Sequence, residues 1–544
     1  MTLQELVFGL IGGTALLMYG VDKMGDGLEK AAGSMMKRIL AVLTGKVWSA
    51  FLAGTFLTAL VQSSTAVTVL TVGFVNAGLM KLPQAIGVIY GANIGTTITA
   101  QLMAFSYSFK LTTFALPVVG AGFALGYFAK NKITKNIGDA IMGFGLMFLG
   151  LKILNGGIPF MKDSQTLKFF FETYASIPIV GILLGALATA LVHSSSATVG
   201  LVMVLGQAGL IDLPTSVCIM LGDNIGTCLT AQLASLTGNI NARRTAWGHT
   251  FYNLFGVIIV AISLPLFVKL VQFTTIYLQP GSDISAQIAN SHTIFNLASA
   301  IIFLPITKYF VKFLETVIKD KGQNDLEPKY LDKLLLDTPS AALKASVSEL
   351  VRGAEISKGM INDVMDAFYS DSDKKFDIVY KNETIINQLQ KDITLYMVDV
   401  SKHQLTNSES IVVPEVITGI NNIERIGDNT INLLELTQSK IDKRLVFTDE
   451  AIKEIKNVHE MVLEMYSYTI DALKKPDVSL VEKALIIEEQ VDELSERLSR
   501  NHLNRLDLQN CSIESGVIFL DIVSHFESIA DHIYKMCIAI KDQQ

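Results

Sequence analysis

Apolar residues fill the chain in long runs as far as about Asp320, and beyond it they thin to a spacing of three and four. A helix needs about 20 mostly apolar residues to cross a bilayer. Runs of that kind lie near Leu3–Val21, Pro83–Ala104, Leu111–Ala129, Ile137–Leu154, Pro214–Leu236, Thr245–Leu270 and Ile288–Phe310. Two further stretches, Val47–Gly78 and Thr173–Gly209, carry a polar string at the middle, with about 15 residues on either side. Such flanks are short for a crossing. Each stretch therefore reads as a re-entrant hairpin, two half-helices meeting at the polar string, although a full helix pair leaves the same loop sidedness.

After a Gly/Asn/Asp/Pro stretch from about Gln323, the pattern predicts six amphipathic helices, near Ala341–Phe368, Lys375–Lys402, Val412–Glu435, Asp449–Lys474, Leu480–Arg500 and Ile513–Lys541. Ile417, Ile420, Ile423, Ile426 and Ile431 show the period. Few strand-like alternations compete. The expected fold is all-α: a polytopic membrane domain followed by a soluble six-helix domain of two three-helix bundles.

The membrane part is duplicated. TALVQSSTAVT at Thr58–Thr68 returns as TALVHSSSATV at Thr189–Val199, and GANIGTTITAQL at Gly91–Leu102 returns as GDNIGTCLTAQL at Gly222–Leu233. AGLMKLP at Ala77–Pro83 and AGLIDLP at Ala208–Pro214 share the same separation of 131 positions. The boundaries that follow are residues 1–135 for the first unit, 136–272 for the second, 273–320 for a last crossing, 321–339 for a linker and 340–544 for the soluble domain.

Charge orients these units. Lys+Arg against Asp+Glu is 19 to 12 through Asp320 and 25 to 39 beyond it, a basic membrane part joined to an acidic soluble part. With the acidic domain in the cytoplasm, the loops holding Lys23, Lys30, Lys37, Arg38 and Lys46, then Lys81, then Lys130, Lys132 and Lys135, then Arg243 and Arg244 all fall inside. The other side keeps few basic residues, namely Lys110, Lys162, Lys168 and Lys269. In that scheme the hairpins enter from opposite sides, so the repeat is inverted. The first apolar run lacks the basic leader and small-residue cleavage site of a signal peptide. Cys218, Cys228, Cys511 and Cys537 are scattered, with no CxxC pair, which fits a reduced compartment for the soluble part.

Hydroxyls, amides and glycines inside apolar segments are costly unless they line a cavity or bind something. Ser, Thr and Gly in membrane helices often serve only close packing, yet four strings paired in one register argue for a site. Where a half-helix begins, free N–H groups and a positive dipole favour an anion. Hydroxyls add donors to an anion and ligands for a hard cation. A Gly-flanked Asn, as in Gly91-Ala92-Asn93-Ile94-Gly95, permits an unwound turn with free carbonyls. No Lys or Arg stands in the strings, so co-bound cations would offset an anion's charge. Duplicated, interrupted helices of this kind mark the substrate site of a secondary transporter.

The paired QSS strings, each followed by G-x-N-I-G-T, resemble the type II sodium/phosphate cotransporter family over roughly Leu3–Phe310. The resemblance implies sodium-driven transport of inorganic phosphate. It implies phosphate contacts from Gln62, Ser63, Ser64, Thr65, Ser194, Ser195 and Ser196, with Asn93 and Asn224. It implies sodium contacts from Gln62, Ser64, Thr96, Thr97, His193, Ser195 and Thr227. His193 departs from the pattern, standing where Gln is expected, and imidazole can protonate near neutral pH.

Asp223 is a lone carboxylate in a crossing, with Ala92 as its repeat mate. It reads as a sodium ligand or a fixed charge, since an intramembrane acid is expensive. His249 and His292 recur in HTFYNL and HTIFNL, each with an Asn four residues on (Asn253, Asn296). Helix–helix hydrogen bonding is the expected role of these histidines.

In the soluble part, Glu424 and Asp428 match Glu527 and Asp531 as E-x-x-x-D in the third and sixth helices. An i, i+4 pair projects from one face and suits a metal ion. Glu383 and Asn387 pair with Glu488 and Asp492 upstream. This duplicated pattern, with ERIGD and ESIAD, resembles the PhoU family of phosphate-response regulators over roughly Ser340–Lys541. The resemblance implies a regulatory domain with metal-binding acidic motifs, Glu424, Asp428, Glu527 and Asp531 among the ligands.

The combined expectation is an inner-membrane sodium/phosphate transporter, not an enzyme, with a cytoplasmic PhoU-like domain. Its partners would be phosphate, sodium and the bilayer, not nucleic acid, with a second copy or a signalling protein docking through the C-terminal domain. A transporter of another oxyanion and a phosphate sensor fit the same residues.

Overall fold

The computed structural model describes residues 2–32, 45–175, 177–236, 238–319, 326–336, 338–475, 477–507 and 512–541. Lys37, Arg38, Cys511 and the start of the linker lie outside the described residues. The chain divides into two compact units, one within Met1–Asp320 and one from Lys321 onward. Every regular element among the described residues is helical. The all-α expectation holds.

In the first unit, α1 (Leu3–Ala32) is followed by two short helices, α2 (Val47–Val61) and α3 (Ser64–Asn76), and by the long α4 (Leu82–Ser108). After α5 (Ala115–Phe128), α6 (Lys132–Gly156) packs back along α1. Two short turns of helix, α7 (Ile158–Asp163) and α8 (Gln165–Phe170), lead to a second short pair, α9 (Pro178–Val192) and α10 (Ser195–Gln207). Then come α11 (Leu213–Gly226), α12 (Cys228–Ala234), α13 (Ile240–Ile262), α14 (Leu264–Leu278), α15 (Ile284–Phe303) and α16 (Thr307–Val317). Among the described residues, five helices are long and apolar enough to cross a membrane.

The half-helices are as short as their sequences require. α2 and α9 have 15 residues, α3 and α10 have 13. At 1.5 Å per residue these are about 22 and 20 Å long, against a hydrocarbon core of about 30 Å. One expected crossing is shifted and another is bent. The crossing expected over Thr245–Leu270 lies at Ile240–Ile262, because Pro265 opens α14 just beyond it. Ile288–Phe310 is bent by 84° between α15 and α16, at the segment holding Pro305. Proline lacks an N–H and clashes with the preceding turn, and the apolar count alone does not reveal that.

The second unit contains α17 (Pro339–Ser370), α18 (Phe376–Ser401), α19 (Asn407–Asp442), α20 (Asp449–Lys474), α21 (Val478–Asp507) and α22 (Ile513–Lys541). The helices pack within each consecutive three, and α19 lies along α22 across the two sets. α19 starts earlier than its apolar pattern suggests. A capping box between Thr406 and Glu409 sets its first turn, and Pro414 is accommodated inside.

Candidate functional site

Both helix pairs of the first unit break in the same way. Gln62 has φ 59° and ψ 18°, and His193 has φ 55° and ψ 25°. This left-handed conformation ends each first half-helix, and the Gln62 and His193 N–H groups close onto the Thr58 and Thr189 carbonyls at 2.7 and 2.8 Å. Ser63 and Ser194 then cap the second half-helix. Their Oγ atoms accept from Ala66 N at 3.2 Å and Ala197 N at 3.3 Å. Ser64 with Thr65, and Ser195 with Ser196, fall in the first turns of α3 and α10, where backbone N–H groups have no intrahelical acceptor. The polar strings thus place paired hydroxyls at two helix N-termini.

The tips differ in burial. Gln62 is buried and His193 is exposed. Gln62 donates through Nε2 to the Ala59 carbonyl, and its Oε1 accepts from Thr99 Oγ1 at 2.7 Å. His193 Nδ1 lies 3.5 Å from Thr230 Oγ1.

The glycines flanking Asn93 do not unwind the helix, contrary to expectation. α4 runs unbroken through Gly91–Gly95, and its counterpart is interrupted only at Thr227. The glycines serve approach instead. A Cβ on Gly91 would collide with the Phe51 carbonyl oxygen, and one on Gly95 would stand 2.6 Å from that of Thr55. Gly222 and Gly226 meet Ile182 and Ala186 in the same way, the latter at 2.5 Å. Each first half-helix is thereby held backbone to backbone against the long helix that carries the Asn. Thr96, Thr97 and Thr227 donate back to carbonyls of their own helices, Ala92, Ile94 and Asn224.

Asp223 is fully buried. Thr189 Oγ1 donates to its Oδ1 at 2.7 Å and lies 2.8 Å from Thr198 Oγ1. Among the described residues Asp223 Oδ2 has no hydrogen-bond partner and no ion pair reaches the carboxylate. Asn93 Nδ2 donates to Asn253 Oδ1 at 2.8 Å, and Asn253 Nδ2 donates to Cys228 Sγ at 3.2 Å, linking α4, α13 and α12. Asn224 Nδ2 donates to the Met220 carbonyl at 2.9 Å. Further along α4, Gln101 helps to line a cavity of about 890 Å³.

The two repeats of the membrane part also interlock. Val72 of α3 clusters with Ala231 of α12 and Ala246 of α13. Met203 of α10 clusters with Ala100 of α4 and Ala289 of α15. Each second half-helix thus meets helices of the other repeat. Periodicity could not show that. For His249 the expected role is not met: among the described residues neither ring nitrogen has a partner, and the bonds there go to its backbone carbonyl.

In the second unit the acids gather in two groups. Burial, then repulsion from Asp492 and Asp531, holds Glu488 above the ordinary carboxylate range, and burial, then Asp428, does so for Glu424. Glu527 is raised by burial, then by Asp492 and Asp531. Arg425 nevertheless lies 3.7 and 3.6 Å from Glu424 and Asp428, and Lys535 pairs with Asp531 at 2.7 Å. Among the described residues no three His, Cys, Asp or Glu side chains converge to hold a metal ion. Glu424 with Asp428, and Glu527 with Asp531, remain acidic pairs, each with one cation beside it. Neighbouring residues bind the two motifs together. His525 Nδ1 is 2.9 Å from Asn429 Oδ1, and His532 Nδ1 is 3.0 Å from Asn422 Oδ1.

Comparison with known proteins adds to this geometry. The Na+/Pi-cotransporter family model matches residues 16–156 and 161–278, and the PhoU domain model matches 350–437 and 455–540. "Putative inorganic phosphate export protein YjbB" of Escherichia coli (strain K12) is 28% identical over 96% of this chain and 94% of its own length. "Uncharacterized protein YqeW" of Bacillus subtilis (strain 168) is 30% identical over 57% of this chain and 99% of its own. "Sodium-dependent phosphate transport protein 2B" of Homo sapiens is 28% identical over 37% of this chain and 30% of its own. With its broken helix pairs, its membrane-length helices and its appended PhoU domain, the chain belongs to the Na+/Pi-cotransporter family, a family of transporters rather than enzymes.

Proposed function

We propose that this protein is a sodium-coupled carrier of inorganic phosphate, with the anion held between the two helix breaks and a cytoplasmic PhoU domain regulating it. The matched breaks carry the reading. Two helix N-termini present N–H and O–H donors, with no Lys or Arg in either string. Such a site attracts an oxyanion but leaves its charge uncompensated, and co-bound sodium supplies the compensation. Gln62, Ser63, Ser64, Thr65, Ser194, Ser195, Ser196, Asn93 and Asn224 are assigned to phosphate. Gln62, Ser64, Thr96, Thr97, His193, Ser195, Asp223 and Thr227 are assigned to sodium. Asp223 is the best supported of these, since its buried carboxylate has one oxygen without a partner.

The names of the human relative and of YjbB support sodium and phosphate as the pair, and the latter favours efflux in the cell. The basic loops support an inner-membrane placement in which the two units are inverted and the acidic domain is cytoplasmic. The test is labelled phosphate flux in proteoliposomes with and without an imposed sodium gradient. Flux that follows the gradient is the expected result. Binding without movement would make the protein a sensor, and stronger competition by arsenate or sulfate would reassign the oxyanion.

A further inference from the structure

The first unit contains a second repeat register, and one contact violates its symmetry. His249-Thr250-Phe251-Tyr252-Asn253-Leu254 on α13 and His292-Thr293-Ile294-Phe295-Asn296-Leu297 on α15 are 43 positions apart. Combined with the 131-position register, this exchanges α4 with α11–α12 and α13 with α15. The structure obeys the exchange in its contacts. Gln101 donates to Thr293 Oγ1 at 2.9 Å, and its mate Gln232 donates to Thr250 Oγ1 at 2.7 Å. Tyr90 packs in one apolar cluster with Tyr252 and Phe310, and their mates Leu221, Phe295 and Phe267 share another. The clusters around Val72 and Met203 follow the same rule.

The asparagines do not. Asn93 donates to Asn253 at 2.8 Å, so its mate Asn224 should donate to Asn296. Asn224 instead donates to the Met220 carbonyl. Asn296 Nδ2 donates to the His292 carbonyl at 3.0 Å, as its mate Asn253 does to that of His249 at 3.3 Å, so the asymmetry lies in the amide oxygens. Among the described residues Asn296 Oδ1 is left buried with no partner, an unmatched acceptor that a second arrangement can satisfy. The same asymmetry runs one contact further. Asn253 also reaches Cys228, whose mate is Thr97, and Thr97 is turned back onto its own helix.

We infer that Asn253 and Asn296 are positioning residues that work in alternation: Asn253 holds Asn93 in the state described, and Asn296 holds Asn224 in the opposite one. The inference rests on the transport reading above, because only a carrier must visit two states related by exchange of its halves. In each state one site asparagine is clasped away and the other is free of its clasp.

Paired thiols test this in the full chain in liposomes, after Cys218, Cys228, Cys511 and Cys537 are replaced by Ser. Two variants are made, Asn93→Cys with Asn253→Cys, and Asn224→Cys with Asn296→Cys. Mercuric ion bridges each pair without demanding disulfide geometry. Both pairs should bridge, and sodium with phosphate should raise the yield of one while lowering that of the other. Bridging of the first pair alone, or an equal response of both to the ligands, overturns the inference. Should the paired variants fail to fold, Asn253→Ala and Asn296→Ala replace them. Each destabilises a different state, so the double variant should recover flux over the worse single one at least twofold, and simple additivity overturns the inference. Wild-type flux in the same liposomes judges transport separately from the bridging yields.

Discussion

Gln62 Oε1 accepts a 2.7 Å hydrogen bond from Thr99, and 131 positions on His193 Nδ1 lies 3.5 Å from Thr230, the mate of Thr99. The imidazole therefore occupies the hydrogen-bonding place of the amide, with a longer reach and more solvent. His193→Gln should preserve flux, whereas His193→Ala, which offers no acceptor to Thr230, should lower it at limiting sodium. Equal flux in the two variants would show that the tip makes no use of this acceptor.

The left-handed backbone at these two tips disfavours any residue with a Cβ, by roughly 1 kcal/mol, yet neither unit uses glycine there. The side chains must then be needed for more than the turn. Gln62→Gly and His193→Gly should leave the thermal stability of the solubilised protein equal or slightly higher while lowering flux at limiting sodium at least tenfold. Retained flux in both would show that the tips are turns only.

Much of this was legible in residue order. The interrupted runs gave the half-helices, and α20 and α22 match their expected spans because uninterrupted 3.6-residue periodicity sets both ends. The glycines of G-x-N-I-G misled, since Gly91 reads alike whether it loosens a helix or admits the Phe51 carbonyl. The exchange of α13 with α15 was signalled by HTFYNL and HTIFNL, but only the pairing of Gln101 with Thr293 and Gln232 with Thr250 reveals its meaning. The acids of the PhoU domain were placed together correctly. Which cations sit on them depends on rotamers that spacing does not encode.

Asp223 accepts from Thr189 through one oxygen only. Asp223→Asn keeps that acceptor and volume while removing the charge. The apparent sodium affinity of transport should fall at least tenfold, which corresponds to about 1.4 kcal/mol, with expression unchanged. An unaltered sodium dependence would return Asp223 to a packing role.

Close approach of α9 to α11 makes a different demand. A Cβ on Gly222 would meet the Ile182 carbonyl oxygen, a backbone atom that no rotamer change can move. Gly12 on α1 has nothing within 4 Å of the same position. Gly222→Ala should cost about 2 kcal/mol or more through overpacking, while Gly12→Ala should be neutral or slightly favourable through helix propensity. Thermal unfolding of the two solubilised variants decides, and equal melting temperatures would contradict the packing geometry.

His459 sits buried on α20 against Tyr369 and Phe526, with its Nε2 unpartnered. Burial holds its pKa down at about 4 from the usual 6.5, against the smaller upward pull of Glu460 and Asp366. The folded domain thus keeps this ring neutral where the unfolded chain would protonate it. The stabilisation is complete above about pH 6.5 and is lost as pH falls toward 4, because the unfolded state binds the extra proton. At 1.36 kcal/mol per pH unit, the loss approaches roughly 3 kcal/mol. His459→Phe keeps the ring packing and removes the proton, so the stability difference between wild type and variant should shift by that amount across the window. Urea unfolding of the PhoU domain at pH 7, 5.5 and 4.5 measures it, and parallel stability curves would show that His459 is protonated without cost.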